Sequence, residues 1–166
     1  MSTYIISDTH FNHERVVEWR GFSSLEEMED RIISNWNSNV TDNDKVIHLG
    51  DFILGDPDRV NNILSRLHYK NLTLVLGNHD TRAKVNQYVM LGITVVGSLE
   101  KILCGKKVLM THYPVHFQQK ERYDLNIHGH VHDLKTAISE DHFYVNVTCE
   151  STNYTPILLK DILEVS

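Results

Sequence analysis

Cysteine is scarce in this sequence. Only two cysteines occur among the 166 residues, Cys104 and Cys149, and they lie far apart, outside any Cys-x-x-Cys pair. This spacing excludes a disulfide framework and a zinc ribbon. Because disulfides are rare in reducing compartments, the cysteine usage is typical of a cytoplasmic protein, and we expect that location.

Long apolar segments are absent as well. No stretch approaches the ~18 continuous apolar residues that a membrane span requires. The N-terminal residues lack the basic start, the apolar run and the small-residue cleavage site of a secretory signal. We therefore expect neither a membrane span nor a membrane partner.

Positive charge is in deficit. The chain has 16 Lys and Arg residues against 22 Asp and Glu residues, which gives a formal net charge of −6. Nucleic-acid duplexes and anionic membranes carry dense negative charge and attract basic surfaces. Duplex DNA is therefore not an expected partner.

Signals of a domain boundary are missing too. The chain has no repeat, no low-complexity tract and no Pro- or Gly-rich linker. With 41% hydrophobic residues, 166 residues are enough to bury a core without disulfides or oligomerisation. We predict a single domain over residues 1–166, and the sequence leaves its oligomeric state open.

Histidine, by contrast, is abundant. The chain contains 11 histidines, and neutral imidazole is the commonest metal ligand among protein side chains. This composition favours a metal-binding protein.

Short apolar and β-branched segments predict eight strands. They lie at residues 4–7, 46–49, 72–76, 95–96, 108–110, 125–127, 143–147 and 157–159. Apolar residues at helical spacing predict two helices between the first three strands. One begins at a capping box formed by Ser24 and Glu27, and the other begins at Asp56 and Pro57. A weaker helical pattern covers residues 82–91, so the chain is predicted to be an α/β protein with helices flanking a sheet core.

Five clusters of residues typical of metal sites follow the predicted strands. They are Asp8 with His10, Gly50 with Asp51, Gly77 with Asn78, His79 and Asp80, Thr111 with His112, and Gly129 with His130 and His132. Ligands of α/β sheets bind beyond the carboxyl ends of the strands, where residues far apart in sequence converge. In an extended segment, side chains two positions apart face the same side. Asp8 and His10 are therefore expected to face one ion together, as are His130 and His132.

In this order the five clusters resemble the signature of the calcineurin-like metallophosphoesterase superfamily. The resemblance covers residues 8–132, and the segments Phe11 to His13 and Asn35 to Asn37 are most similar to small single-domain bacterial and phage members. It implies a four-layer αββα sandwich, in which two mixed β-sheets pack face to face between flanking helices.

The resemblance also implies the roles of the clustered residues. Asp8, His10 and His132 would hold one divalent ion, and Asn78, His112 and His130 would hold a second. Asp51 would bridge the two ions. His79 would not be a ligand but a proton donor beside the scissile phosphate, oriented by Asp80.

The chemistry of these residue types is consistent with that implication. Two divalent ions can clamp a phosphoryl group and lower the pKa of a bound water towards ~7, which makes a bridging hydroxide available as the nucleophile. Nitrogen and oxygen ligands without thiolate suit manganese, iron, nickel or zinc, and we expect manganese.

A phosphodiesterase is the function we predict. The five clusters contain no Arg or Lys to neutralise the second charge of a monoester, so a small phosphodiester or nucleotide-type substrate is favoured. The alternatives are a phosphomonoesterase with the same site and a non-catalytic protein-binding scaffold. A metallo-β-lactamase-like site is rejected, because its H-x-H-x-D-H pattern has its last two residue types swapped at His132 and Asp133 and is expected early in a chain.

Most remaining histidines are predicted to have no ligand role. His48 is expected to be packed, His128 to lie behind the ligands, and His68, His116 and His142 to lie at the surface. His13 is the exception, because it follows the first cluster and is predicted to contact substrate. Arg82 and Lys84 are predicted to lie on a solvated helix face.

Overall fold

Five strands form the first of two sheets. The computed structural model describes residues 1–132 and 141–165. The strands β1 (Thr3–Ile6), β2 (Lys45–His48), β3 (Asn71–Val75) and β4 (Thr94–Val96) run parallel in the spatial order β4-β3-β2-β1, and β9 (Ile157–Leu158) joins β1 antiparallel. The sheet is therefore mixed.

Four strands form the second sheet. They are β5 (Leu99–Leu103), β6 (Lys106–Thr111), β7 (Leu125–His128) and β8 (Tyr144–Asn146), in the order β5-β6-β7-β8. The strands β6, β7 and β8 are parallel, and β5 pairs antiparallel with β6. The predicted fold class, two mixed sheets flanked by helices, is confirmed.

Helices connect and flank the sheets. They are α1 (Glu14–Trp19), α2 (Leu25–Asn39), α3 (Pro57–Arg66), α4 (Arg82–Met90) and α5 (Leu159–Val165), with a 3₁₀ helix at Phe117–Glu121. The side chain of Ser24 accepts the backbone N–H of Glu27, and that of Asp56 accepts the backbone N–H of Arg59. Both predicted helix starts are confirmed.

Two apolar clusters hold these layers together. Between the sheets, Ile5 and Ile47 of the first sheet pack with Met110 and Ile127 of the second. On the other face of the first sheet, strand residues pack against α2, α3 and α4, with Trp36 fully buried among them. The alternation of side chains along each strand places Ile5 in one cluster and its neighbour Ile6 in the other.

Three elements differ from the sequence-based prediction. Helix α1 has only six residues, too few for a helical period to be read. Strand β5 has exposed central residues, and it forms because Cys104 and Gly105, both with positive φ, turn the chain into a hairpin with β6. Leu159 was predicted to end a strand but begins α5, since Leu159, Ile162 and Leu163 bury one face of a helix in the core between the sheets.

The carboxyl ends of the parallel strands of both sheets lie together. The backbone N–H of Ser7 donates to Val147 O and that of Cys149 donates to Ser7 O, which joins the end of β1 to the end of β8. The N–H of Asp8 donates to Gly50 O, which joins the loops after β1 and β2. The loops that carry the five clusters therefore meet at one edge of the molecule.

Asp133, considered above for a metallo-β-lactamase pattern, lies outside the described residues. Across residues 1–132 and 141–165, no helix has the length and apolar character needed to cross a membrane.

Candidate metal centre

Six predicted ligands form two adjacent groups at this edge. In each group, one nitrogen or oxygen atom per residue lies within 4.8 Å of the others; the groups are Asp8, His10 and His132, and Asp51, His112 and His130. Asp51 lies between them, because its Oδ2 is 3.6 Å from both His10 Nε2 and His112 Nε2. The arrangement can accommodate two cations that share one carboxylate.

Asn78 extends the second group. Its Oδ1 lies 3.0 Å from His112 Nε2, while His112 Nδ1 lies 2.8 Å from the carbonyl oxygen of Leu49. Because a carbonyl only accepts, the neutral imidazole carries its proton on Nδ1 and presents a lone pair at Nε2. Two lone pairs then face each other at 3.0 Å, an arrangement that a cation between them would stabilise.

The first group contains buried polar atoms without hydrogen-bond partners. Asp8 is fully buried and His10 is 2% exposed, yet Asp8 Oδ1 and both ring nitrogens of His10 make no hydrogen bond. The other oxygen, Asp8 Oδ2, accepts from the Ser7 hydroxyl and from the backbone N–H of His130. Unsatisfied buried polar atoms are costly, and metal coordination is one way to satisfy them. These residues fit a divalent cation.

The electrostatics of Asp8 also favour an anionic carboxylate. Burial raises the pKa of Asp8, but the neighbouring imidazoles of His10 and His112 and the hydrogen bonds from Ser7 and His130 lower it by more. The pKa therefore lies below its ordinary value. The group is therefore ionised at neutral pH, as a ligand must be.

The backbone at these ligands is left-handed rather than extended. The φ angles are 57° at Asp8, 50° at His10, 55° at Asp51, 68° at His130 and 49° at His132. A left-handed non-glycine residue costs of order 1–3 kcal/mol and persists only where the surroundings enforce it. The prediction that alternation along extended segments orients these side chains is therefore wrong, since sharp turns after the strands bring them together.

Two glycines permit the close approach of the loops. A Cβ at Gly77 would lie 2.2 Å from Asp51 Oδ1, and a Cβ at Gly129 would lie 2.0 Å from the Ser7 hydroxyl oxygen. Any side chain at either position would displace a carboxylate of the centre or its support.

His79 and Asp80 have different environments. The side chain of His79 is 42% exposed, with Nε2 4.0 Å from Asp51 Oδ2. The carboxylate of Asp80 accepts from the backbone N–H groups of Asp51, Phe52 and Gly77, and burial raises its pKa. Asp80 was predicted to orient the imidazole of His79, but instead it holds the loop of Asp51 against the loop of Gly77.

His13 lies beside the centre. Its ring stacks on that of His10 with a centroid distance of 5.2 Å and lies 5.5 Å from that of His79. Burial, together with the charges of His10 and His79, lowers the pKa of His13 to about 4, so the ring is neutral at pH 7. His13 therefore borders the donor groups, and its contact with substrate stays a prediction.

The other histidines lie where the sequence predicted. His48 is buried, and its ring bonds the Thr9 hydroxyl and the Gly50 N–H. His128 is buried, with Nδ1 3.0 Å from Gly129 O. The exposed histidines outside the centre are His68, His116 and His142.

Lys84 lies on α4 close to His79. Its side chain is partly exposed, and its Nζ donates to the carbonyl oxygen of His79 at 3.4 Å. Arg82, two residues earlier, is exposed. Lys84 is thus a cation near the candidate proton donor.

Sequence reasoning predicted neither the pairing of Arg20 with Glu150 nor their contacts with the ligand residues. Arg20 donates to the carbonyl oxygens of Asp8 and Thr9, and Glu150 accepts from the ring of His132. Arg20 and Glu150 are 130 positions apart. No local pattern connects them, so only the folded chain reveals the pair.

Comparisons with known proteins place these motifs in a family. A model of the calcineurin-like phosphoesterase superfamily domain matches residues 1–149. An uncharacterized protein of Methanocaldococcus jannaschii is 32% identical, over 98% of this chain and 89% of its own length.

Solved structures are similar as well. A protein of unknown function from Aquifex aeolicus is 27% identical with a TM-score of 0.80 over 99% of both chains. An archaeal phosphodiesterase is 21% identical with a TM-score of 0.50, over 89% of this chain and 82% of its own.

The position of Asp51 between the two groups generates a prediction. Asp51→Asn keeps the size of the side chain but removes the charge that both groups share. We expect Mn²⁺ to bind more weakly at both groups. Substitution of a residue that only supports a metal ligand typically lowers metal affinity by ~10- to 100-fold, and we expect at least that loss here. Calorimetric Mn²⁺ titration measures this, with Asp42→Asn at an exposed turn as the control. Two ions retained at unchanged affinity would contradict the shared role of Asp51.

Proposed function

The chain belongs to the calcineurin-like phosphoesterase superfamily, and from that premise we propose that it is a dinuclear metal-dependent phosphodiesterase. The observation that carries the proposal is the pair of donor groups that meet at Asp51. Asp8, His10 and His132 would hold one ion, Asn78, His112 and His130 the other, and Asp51 both. Manganese is the metal we propose, with iron, nickel and zinc as alternatives of similar ligand preference.

The ions, when bound, supply electrophilic stabilisation of the phosphoryl group and acidify water. The protein's own contribution begins with the orientation of its imidazoles. His112 donates from Nδ1 to Leu49 O, and His132 Nδ1 is 3.1 Å from Glu150 Oε2. In the neutral imidazole, each contact places the proton on Nδ1 and leaves the lone pair of Nε2 directed at the centre.

His79 is the proposed proton donor. Its ring is half exposed beside Asp51, so it can reach a leaving-group oxygen without displacing a ligand. Its backbone N–H donates to Asp51 Oδ1 at 2.8 Å, which fixes its main chain relative to the centre. Transfer of the Nε2 proton of His79 to the leaving-group oxygen would accompany cleavage of the P–O bond, and the leaving group would depart as an alcohol.

His79→Ala tests this role. We expect kcat to fall by ~10²- to 10⁴-fold, the usual contribution of a general acid, with Mn²⁺ content unchanged. The loss should be smallest for substrates with activated leaving groups, which need no proton. His116→Ala, at an exposed histidine, is the matched control. Loss of bound metal in His79→Ala would show that His79 is a ligand instead.

The charge around the centre supports a diester substrate. A monoester brings nearly two negative charges and a diester brings one, so a monoester needs more cationic groups beyond the metals. Arg20 cannot supply one, because its side chain is fully buried and bonded to Glu150, Asp8 and Thr9. The archaeal phosphodiesterase, at 21% identity, supports the fold alone, so the preference rests on charge.

A phosphomonoesterase is the second candidate function, and Lys84 is the observation that favours it. Its ammonium group lies next to His79, where it could meet the second charge of a monoester. Burial lowers the pKa of Lys84, and the charges of Asp80 and Asp51 offset this effect only in part. This cation is therefore less available than an exposed lysine.

Matched kinetics decide between these candidates. With Mn²⁺ present, we expect a higher kcat/KM for bis-p-nitrophenyl phosphate than for p-nitrophenyl phosphate, because the single charge of the diester needs no further cation. Lys84→Ala should leave the diester reaction within a few-fold. A higher kcat/KM for the monoester that Lys84→Ala abolishes would establish the phosphomonoesterase. Absence of hydrolysis and of bound metal would favour a protein-binding scaffold.

Exposed aromatic rings support a nucleotide-type diester. Trp19 and Tyr113 are each 50% exposed. The ring of Trp19 meets that of His132 at 4.8 Å, and the ring of Tyr113 meets that of His130 at 4.2 Å. One exposed ring therefore borders each donor group, and base–aromatic stacking contributes ~1–3 kcal/mol per base.

Trp19→Ala tests the proposed stacking. Thymidine 5′-p-nitrophenyl phosphate and methyl p-nitrophenyl phosphate share a leaving group, but only the first carries a base. We expect KM for the thymidine diester to rise by about tenfold, a stacking loss of ~1.4 kcal/mol, while KM for the methyl diester changes little. Trp19→Phe, which keeps an aromatic ring, should retain most of the difference. Equal changes for both substrates would exclude stacking on Trp19.

A further inference from the structure

Arg20 and Glu150 form a buried ion pair directly behind one donor group. Arg20 Nε is 2.6 Å from Glu150 Oε1, the Arg20 side chain is fully buried and that of Glu150 is 10% exposed. Arg20 directly follows α1, whereas Glu150 lies in the segment between β8 and β9. The pair thus joins the chain after α1 to the chain after β8.

The second carboxylate oxygen of Glu150 contacts a candidate ligand. Glu150 Oε2 is 3.1 Å from His132 Nδ1, and His132 Nε2 is 3.7 Å from Asp8 Oδ1. Since a carboxylate only accepts, His132 donates from Nδ1 and turns Nε2 towards Asp8. Glu150 thereby selects both the tautomer and the orientation of the ring.

The remaining nitrogens of Arg20 hold the loop of Asp8. Nη2 donates to Asp8 O at 2.6 Å, and Nη1 donates to Thr9 O at 3.0 Å. A planar guanidinium can satisfy these acceptors and Glu150 at once, which an ammonium group cannot do in the same geometry. One side chain therefore fixes the positions of Asp8 and, through Glu150, of His132.

The second donor group is supported differently. His112 donates from Nδ1 to a neutral carbonyl, that of Leu49, and His130 Nδ1 lies 3.2 Å from His112 Nε2. Neither imidazole contacts a carboxylate behind it among the described residues. The Arg20–Glu150 pair is thus specific to the group of Asp8, His10 and His132.

From this asymmetry we propose that Arg20 and Glu150 are positioning residues that set the metal affinity of the Asp8, His10 and His132 group and leave the other group unchanged. The proposal rests on the proposed function in one respect, that this group holds a metal. A carboxylate behind a ligating histidine fixes the ring and raises its basicity, and loss of such a partner costs ~10- to 100-fold in metal affinity.

A stability measurement alone cannot test this proposal. Removing one partner of any buried ion pair destabilises a fold, because the other charge is left uncompensated. The decisive readout is a difference between the two metal sites, which a general loss of stability does not produce.

The first experiment is a Mn²⁺ titration of the full chain. Calorimetry measures the heat of binding, and electron paramagnetic resonance measures the amounts of free and bound Mn²⁺. In Glu150→Gln we expect one of two binding events to weaken by ~10- to 100-fold and the other to stay at wild-type affinity. Arg20→Lys keeps the charge but loses the planar guanidinium, so it should show the same selective loss. It is the variant to use if Glu150→Gln folds poorly.

Asp44→Asn is the matched control. Asp44 is a buried carboxylate that accepts from Ser2 and Thr41 next to the start of β2, at the opposite edge of the sheet. It should lower stability without changing either affinity. Unchanged affinities at both sites in Glu150→Gln, or equal weakening at both, would overturn the proposal.

The second experiment needs no metal. At alkaline pH, ¹⁵N chemical shifts of the metal-free chain report the tautomer of each imidazole, and His132→Asn assigns the His132 signals. We expect the Nδ1–H tautomer of His132 in the wild type and a mixture in Glu150→Gln. An Nε2–H tautomer in the wild type would contradict the positioning role. If the wild type bound no Mn²⁺, the proposed function would fail, while this measurement would still decide the role of Glu150.

Discussion

The architecture depends on one electrostatic constraint, the burial of one carboxylate oxygen and of an imidazole that lack hydrogen-bond partners. Asp8 and His10 are almost inaccessible to solvent, yet Asp8 Oδ1 and both ring nitrogens of His10 have no partner. Such atoms cost about 1–3 kcal/mol each unless something compensates them. The left-handed backbone at both residues adds to that cost. A binding site for cations accounts for both costs, because the uncompensated atoms converge with Asp51 and His132.

Two sheets are needed to satisfy this constraint. The loops after β1, β2 and β3 belong to the first sheet, and those after β6 and β7 belong to the second. Parallel strands end at the same edge, so each sheet brings its loops together. The bonds between Ser7 and the segment of Val147 and Cys149 then join the two edges. Each donor group combines residues from both sheets, so neither sheet could form the centre alone.

The charged side chains around the centre are relevant both to the proposed metal site and to the proposed substrate. Arg20, which could have met a substrate phosphate, is turned inward onto Glu150 and the carbonyl oxygen of Asp8. That contact supports the proposed metal site and removes a cation from the substrate surface. Lys84 remains near His79. The proposed preference for a diester over a monoester rests on these two positions, one arginine turned inward and one lysine near His79.

The sequence by itself determined the fold class, the starts of α2 and α3, and the clusters that meet at one edge, because these depend on local patterns of polarity, capping and residue type. It did not reveal the Arg20–Glu150 pair, since contacts between residues 130 positions apart have no local signature. It also assigned Asp80 to the wrong partner, because an aspartate next to His79 binds backbone N–H groups of loops that only the tertiary structure brings within reach. The left-handed turns at Asp8 and His10 were decided in the same way, by bonds to the neighbouring loop of Asp51 that enforce a conformation local preference disfavours.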